Sequence, residues 1–158
     1  MNPLPAYRYG AARTMVHLHG QYLQDALAAW RAAKAARIVL PETEDPSYVS
    51  LETLLRHMLS AARGYMVWMC DKLDLPDPQI REVPPLEVIE PEAEGYLAHI
   101  IDRWALPLAE VDEDRFYRPE YRSNWGVLYC VDAMLEHAVM HAIQHRLQLE
   151  ELVEEQSL

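Results

Sequence analysis

The segment EHAVMHAIQHRLQL, from Glu136 to Leu149, holds three of the chain's seven histidines at intervals of four: His137, His141 and His145. Imidazoles at i and i+4 on a helix stand one above the other, and a neutral ring nitrogen is a good ligand for a divalent ion. Three turns of one straight helix cannot aim all three rings at one point, so this segment supplies only part of a metal site. An apolar stripe shows which part. Leu128, Val131, Leu135, Ala138, Ala142, His145, Leu149 and Leu152 recur by threes and fours, the pattern of a helix seam facing a core. At about 100° per residue, His145 lies within that stripe and His141 about 40° away on its border. His137 falls about 40° further out, beside the polar positions.

A further ligand has to come from another element. In LETLLRHMLSAARGYMVWMCDKL, the residues Leu51, Leu54, Met58, Ala61, Tyr65, Trp68 and Met69 define a buried stripe, and His57 sits at its edge. That is the place His141 holds on the later helix. His57, His141 and His145 together offer three imidazole nitrogens and leave coordination positions open, as in catalytic rather than structural zinc sites. The alternative stays open: His57 and His137 solvated, His145 a hydrogen-bonded core histidine, and no metal at all. Gln148 projects close to the direction of His141 and could orient a ligand or a bound water from the next layer out; otherwise it is an exposed polar side chain. His137 reads as a rim residue, or as plainly exposed. Tyr65 and Trp68 read as core, and Glu136 and Glu150 point away, so no general base stands out. His17, His19 and His99 read as surface or capping residues. The paired Glu-x-x-His pattern of di-iron bundles is absent.

Four helices and no strand are expected to position these residues. The first runs from about Ala11 to Ala36, with Met15, Leu18, Tyr22, Leu23, Leu27 and Trp30 at helical spacing, and the polar loop PETEDPS ends it. Ser50 is a side-chain cap for the second, with Glu52 in its first turn, and that helix stops near Leu75-Pro76. A connection with five prolines spans Pro76 to Pro91. Pro91 suits the first position of the third helix, which Pro107 ends near Ala105 or Leu106. Ser123 or Asn124 is expected to cap the fourth, which reaches about Glu154.

RHMLSAARGYMVWM resembles the second-helix segment of the DinB/YfiT-like metalloprotein superfamily, and HAVMHAIQHRLQL is similar to its late HxxxH signature. Arg146 and Gln148 match the tail of that signature, while Leu147 stands where a glycine is usual, on the helix surface rather than at a ligand. The resemblance implies an all-α four-helix bundle, commonly a homodimer, with Zn²⁺ or Ni²⁺ held by His57, His141 and His145. Some members are thiol-S-transferases or mycothiol-dependent isomerases. It implies a metal-dependent enzyme in which a thiol or water attacks a small electrophile, with a low-molecular-weight thiol as a possible partner. A non-catalytic metal-binding or stress-associated bundle, or a metal-free dimeric one, remains the alternative.

Composition narrows the rest. The 158 residues are expected to form one domain, residues 1–158, large enough to fold without a disulfide or a structural metal. A formal charge of −11 disfavours nucleic acid as a partner. No run approaches the roughly 20 apolar residues of a membrane span, and MNPLPAYRYGAART lacks the apolar core of a signal peptide. The expectation is a cytoplasmic protein, with Cys70 and Cys130 as free thiols inside helical patterns.

Overall fold

Ser50 starts the second long helix as its side chain predicts: its Oγ accepts the Thr53 N–H at 3.0 Å, with Glu52 in the first turn. The computed structural model describes residues 3–157. Met1, Asn2 and Leu158, which the reading of 1–158 as one domain and of the N-terminal segment include, lie outside the described residues. The described chain is mostly helical. Its helices are α1 (Gly10–Ala36), α2 (Leu51–Lys72), α3 (Ile89–Trp104), the single turn α4 (Asp114–Tyr117) and α5 (Val131–Gln156). No helix among the described residues is long and apolar enough to cross a membrane.

The core takes Leu23, Leu27 and Trp30 of the expected α1 stripe but not its first three members. Met15, Leu18 and Tyr22 are only half-buried, while Ala12, Val16, His19, Leu23, Ala26, Trp30 and Ala33 are buried. α1 packs chiefly on α5, which presents Ala138 and Ala142 to the interior. Small side chains let the two backbones approach closely, so small residues mark this contact. α2 packs on both α3 and α5. Trp104 closes one end of α3 by donating its indole N–H to the Ala62 carbonyl at 3.1 Å.

Three boundaries differ from expectation. α2 ends at Lys72, and the chain turns through Asp74 at φ 54° before Pro76. α3 begins at Ile89 after a short turn at Leu86–Val88, so Pro91 is its third residue rather than its first. Its missing N–H still falls in the first turn, where that donor would have no helical partner. The proline-rich connection before it is pinned: Arg63 and Arg56 donate to the carbonyls of Ile80 and Pro84, and the Tyr96 hydroxyl to that of Arg81.

The largest correction lies before α5. Neither Ser123 nor Asn124 caps it. Residues 121–129 form a hairpin of two antiparallel strands, β1 (Tyr121–Arg122) and β2 (Leu128–Tyr129), so strands are present after all. The Ser123 Oγ does accept a backbone N–H, but that of Val127, which closes the turn instead of opening a helix. Gly126 supplies the φ of +91° that this turn requires. Leu128, expected in the apolar seam of the helix, is therefore an exposed strand residue. Cys130 caps α5, its Sγ accepting the Ala133 N–H at 3.4 Å.

Candidate metal centre

α2 and α5 bring His57, His141 and His145 together. Buried Leu54 and Met58 hold one face of α2 in the core, which leaves His57 half-buried at its border. On α5, Ala138, Ala142 and Leu149 face the core; His145 is buried among them and His141 is half-buried at their border. The His57 Nε2 lies 3.1 Å from the His141 Nε2, and the His145 Nε2 lies 3.2 Å from that same atom. One nitrogen from each of the three rings falls within 4.8 Å of the others.

This convergence is poorly explained by hydrogen bonding. A neutral imidazole Nε2 offers one proton or one lone pair, so His141 Nε2 can satisfy only one of its two neighbours. Nitrogens bound at about 2.0–2.1 Å to one tetrahedral ion stand roughly 3.3 Å apart, close to both observed separations. The His145 Nδ1 is buried with no hydrogen-bond partner. A histidine that binds through Nε2 carries its proton on Nδ1, where an acceptor is usual. Gln148, the nearby amide, does not fill that place: its oxygen accepts the Tyr48 hydroxyl at 2.8 Å.

Electrostatics keep the rings in their ligating form. Burial pushes His141 down to about 3, with His145 and His57 adding to the fall. Burial also lowers His145 to about 4 and lowers His57. All three are neutral at pH 7 and present lone pairs, not charges. The donor set of three neutral nitrogens fits zinc, nickel, copper or iron.

Around the three rings, sequence reasoning was right in part. His137 stands outside the three-nitrogen cluster and is not exposed; it is half-buried, 6.3 Å from His141 between ring centroids and stacked on Trp125. Tyr65 is core, as expected, and stands edge-on to both His137 and His141. Trp68 is core too and donates its indole N–H to the Arg122 carbonyl. Glu136 is exposed, and Glu150 is spent on an ion pair with Arg146. His17 is exposed, and His99 accepts the Arg81 N–H. His19 contradicts its surface reading: it is 2 % exposed and stacked on Trp104 at 3.7 Å.

Sequence reasoning passed over two residues of the 40–50 loop. Tyr48 closes a short turn, Pro46–Tyr48, that packs on α2 and brings its ring within 6.3 Å of His145. Asp45 caps that turn by accepting the Ser47 N–H, which with the nearby His57 and His145 holds its carboxyl below the usual range. The string DPS carries an Asx-turn signal, but nothing local says that the turn lands beside two histidines. Both cysteines are free, and burial pushes the Cys70 thiol up to about 11, far from a nucleophile's range.

The sequence matches no known family model, no curated protein and no solved structure, so the resemblance to DinB/YfiT-like proteins rests on the segments around His57 and His141.

Proposed function

We propose that this chain is a metal-dependent enzyme built on a four-helix bundle of the DinB/YfiT-like class, acting in the cytoplasm on a small electrophile. The observation that carries this reading is the meeting of two Nε2 atoms on a third, at 3.1 and 3.2 Å, across two helices. His57, His141 and His145 would hold one divalent ion, Zn²⁺ or Ni²⁺ in the first instance. When bound, such an ion lowers the pKa of a water to about 7 or favours the thiolate of a bound thiol.

The chain's own residues do the rest. Burial keeps the three imidazoles neutral, so no proton has to leave before they ligate. Tyr65 screens His141 from solvent on one side. Asp45 is exposed nearby, but its carboxylate accepts the Ser47 N–H, which holds it below the usual range, so it is no more than a charge at the rim. Three protein nitrogens leave room for a reactant, the arrangement of a catalytic site. A structural zinc site would be closed by a fourth protein ligand.

The test has two stages. Metal content is measured on protein purified without an affinity tag, alongside His141→Ala, His57→Ala and His137→Ala. The first two variants are expected to lose the metal and the third to keep it. Turnover is then assayed with a low-molecular-weight thiol and an electrophilic acceptor, with and without the ion. Ion-dependent turnover supports the enzyme; bound metal with no turnover across thiol and hydrolytic assays favours a metal-binding module. Negligible metal in every form contradicts both.

A further inference from the structure

Beside His57 the surface opens into a cavity of about 370 Å³, within the size range of small-molecule sites. Three aromatic side chains, Tyr65, Trp68 and Trp125, stand in its walls beside Ala61, Gly64 and Met134. The polar lining is confined to Ser60, Asn124, His57 and the Tyr65 hydroxyl, and among the described residues no carboxylate, lysine or arginine lines it. Other depressions, around residues 38–52 and between residues 75–79 and 102–107, are lined by no histidine or cysteine.

Trp125 gives the cavity its character. It sits at the tip of the β1–β2 hairpin and is 48 % exposed, a large apolar surface left open. Three rings nevertheless pack around it. One neighbour is His137, stacked at 5.2 Å, and the rings of Tyr129 and Tyr65 stand edge-on at 5.5 and 6.3 Å. The hairpin below it is tied down by the Trp68 indole N–H to the Arg122 carbonyl and by the Arg122 guanidinium to the Gly126 carbonyl. Tyr65 joins this wall to the three histidines, 5.7 Å from His141. An indole packed among three rings, with area uncovered beside a pocket, offers an aromatic surface to a ligand.

We propose that the cavity between α2 and the hairpin receives a flat, uncharged aromatic group of the substrate, presenting the atom attached to it toward His57. The inference rests on the metal-centre reading for what happens to that atom, though not for the binding itself. Aromatic walls at differing inclinations offer both face and edge contacts to a ring. A thiol bearing carboxylates would leave its charges unpaired there, at a desolvation cost that nothing in the lining offsets. A quaternary ammonium suits an aromatic cage in general, but here it would stand beside the ligand of a cation. The ring therefore belongs to the electrophile, and a charged thiol would approach from outside the cavity.

Gly64 provides a clean test. It lines the cavity on α2, and a Cβ there would meet nothing within 4 Å, so a larger side chain grows into open space. Metal-free protein is titrated with benzyl alcohol while the indole N–H resonances of Trp125 and Trp68 are followed by NMR, assigned with Trp125→Phe. Saturable shifts of both are expected. Gly64→Leu should weaken the binding at least about tenfold, as should Trp125→Ala, which guards against a misfolded first variant. No saturable shift, an undiminished response in both variants, or a stronger response to tetramethylammonium or glutathione overturns the proposal. With zinc-loaded protein, benzohydroxamate should bind about tenfold tighter than acetohydroxamate, the two sharing a metal-binding head. Equal affinities overturn the aromatic subsite and leave the metal reading intact. Failure of zinc to bind removes the metal reading, while the benzyl alcohol titration still decides the cavity.

Discussion

Two places in this molecule bury histidine, and they do it differently. His19, on α1, lies flat on Trp104 of α3 at 3.7 Å and 16°, and burial pushes it down to about 3. His141, on α5, is also pushed to about 3, yet its Nε2 is met by two other ring nitrogens. Burial and a low pKa are common to both. Convergence is not. His19 uses its ring as an apolar plate, whereas the α2–α5 histidines spend buried space on nitrogens pointed at one another, an arrangement that hydrogen bonding alone does not complete. A buried histidine is thus a packing residue by default, and its neighbours' nitrogen positions mark the exception.

The comparison can be broken by substitution. The largest difference should appear in metal affinity: His57→Ala, His141→Ala or His145→Ala is expected to weaken zinc binding at least about 100-fold, beyond the usual cost of losing a supporting residue. His19→Ala should leave it unchanged, as read by competition with a chromophoric chelator. A comparable loss from His19→Ala would mean that the two environments are not separate. Stability should rank the other way. His19→Ala removes a fully buried stacked ring and should cost about 2–3 kcal/mol in denaturant unfolding.

A pH series sharpens the contrast. A buried histidine whose folded pKa lies below the usual 6.5 leaves the unfolded chain binding more protons. Its contribution to stability is therefore whole above about pH 6.5 and is lost as the pH falls toward the folded value, about 3 for His19. The slope is at most about 1.4 kcal/mol per pH unit for each histidine. Metal-free protein should show this decline, and His19→Phe, which keeps an aromatic plate on Trp104, should flatten it by the share of one histidine. An unchanged slope would mean that His19 is not buried as a neutral ring. The smallest effect expected is a gain: Gly64→Ala places a methyl in open space on α2 and should stabilise by about 0.5–1 kcal/mol without altering metal content.

Much of this was legible in the sequence where the information is local. Helical periodicity located α1, α2, α3 and α5 to within a few residues, apart from the start of α5, and the Ser50 cap was read correctly because capping needs only four neighbouring residues. The three histidines were found because a helix wheel is enough to place His57 and His141 at matching stripe edges. What escaped was tertiary. His19 looks peripheral because the expected α1 stripe begins with Met15, Leu18 and Tyr22, which are half-buried, whereas the core takes Ala12, Val16, His19, Ala26 and Ala33 together with the stripe's own Leu23, Leu27 and Trp30. The hairpin was missed because its strands are two residues each, too short for alternation to show. Asp45 and Tyr48 were invisible as site residues because only the path of the 40–50 loop carries them to His145.

X-ray absorption at the zinc edge, on protein loaded with one equivalent, tests the central claim most directly. The account predicts imidazole scattering from three nitrogens at about 2.0–2.1 Å, falling to two in His57→Ala and staying at three in His137→Ala. A spectrum with no histidine contribution, or one unchanged by His57→Ala, would contradict it.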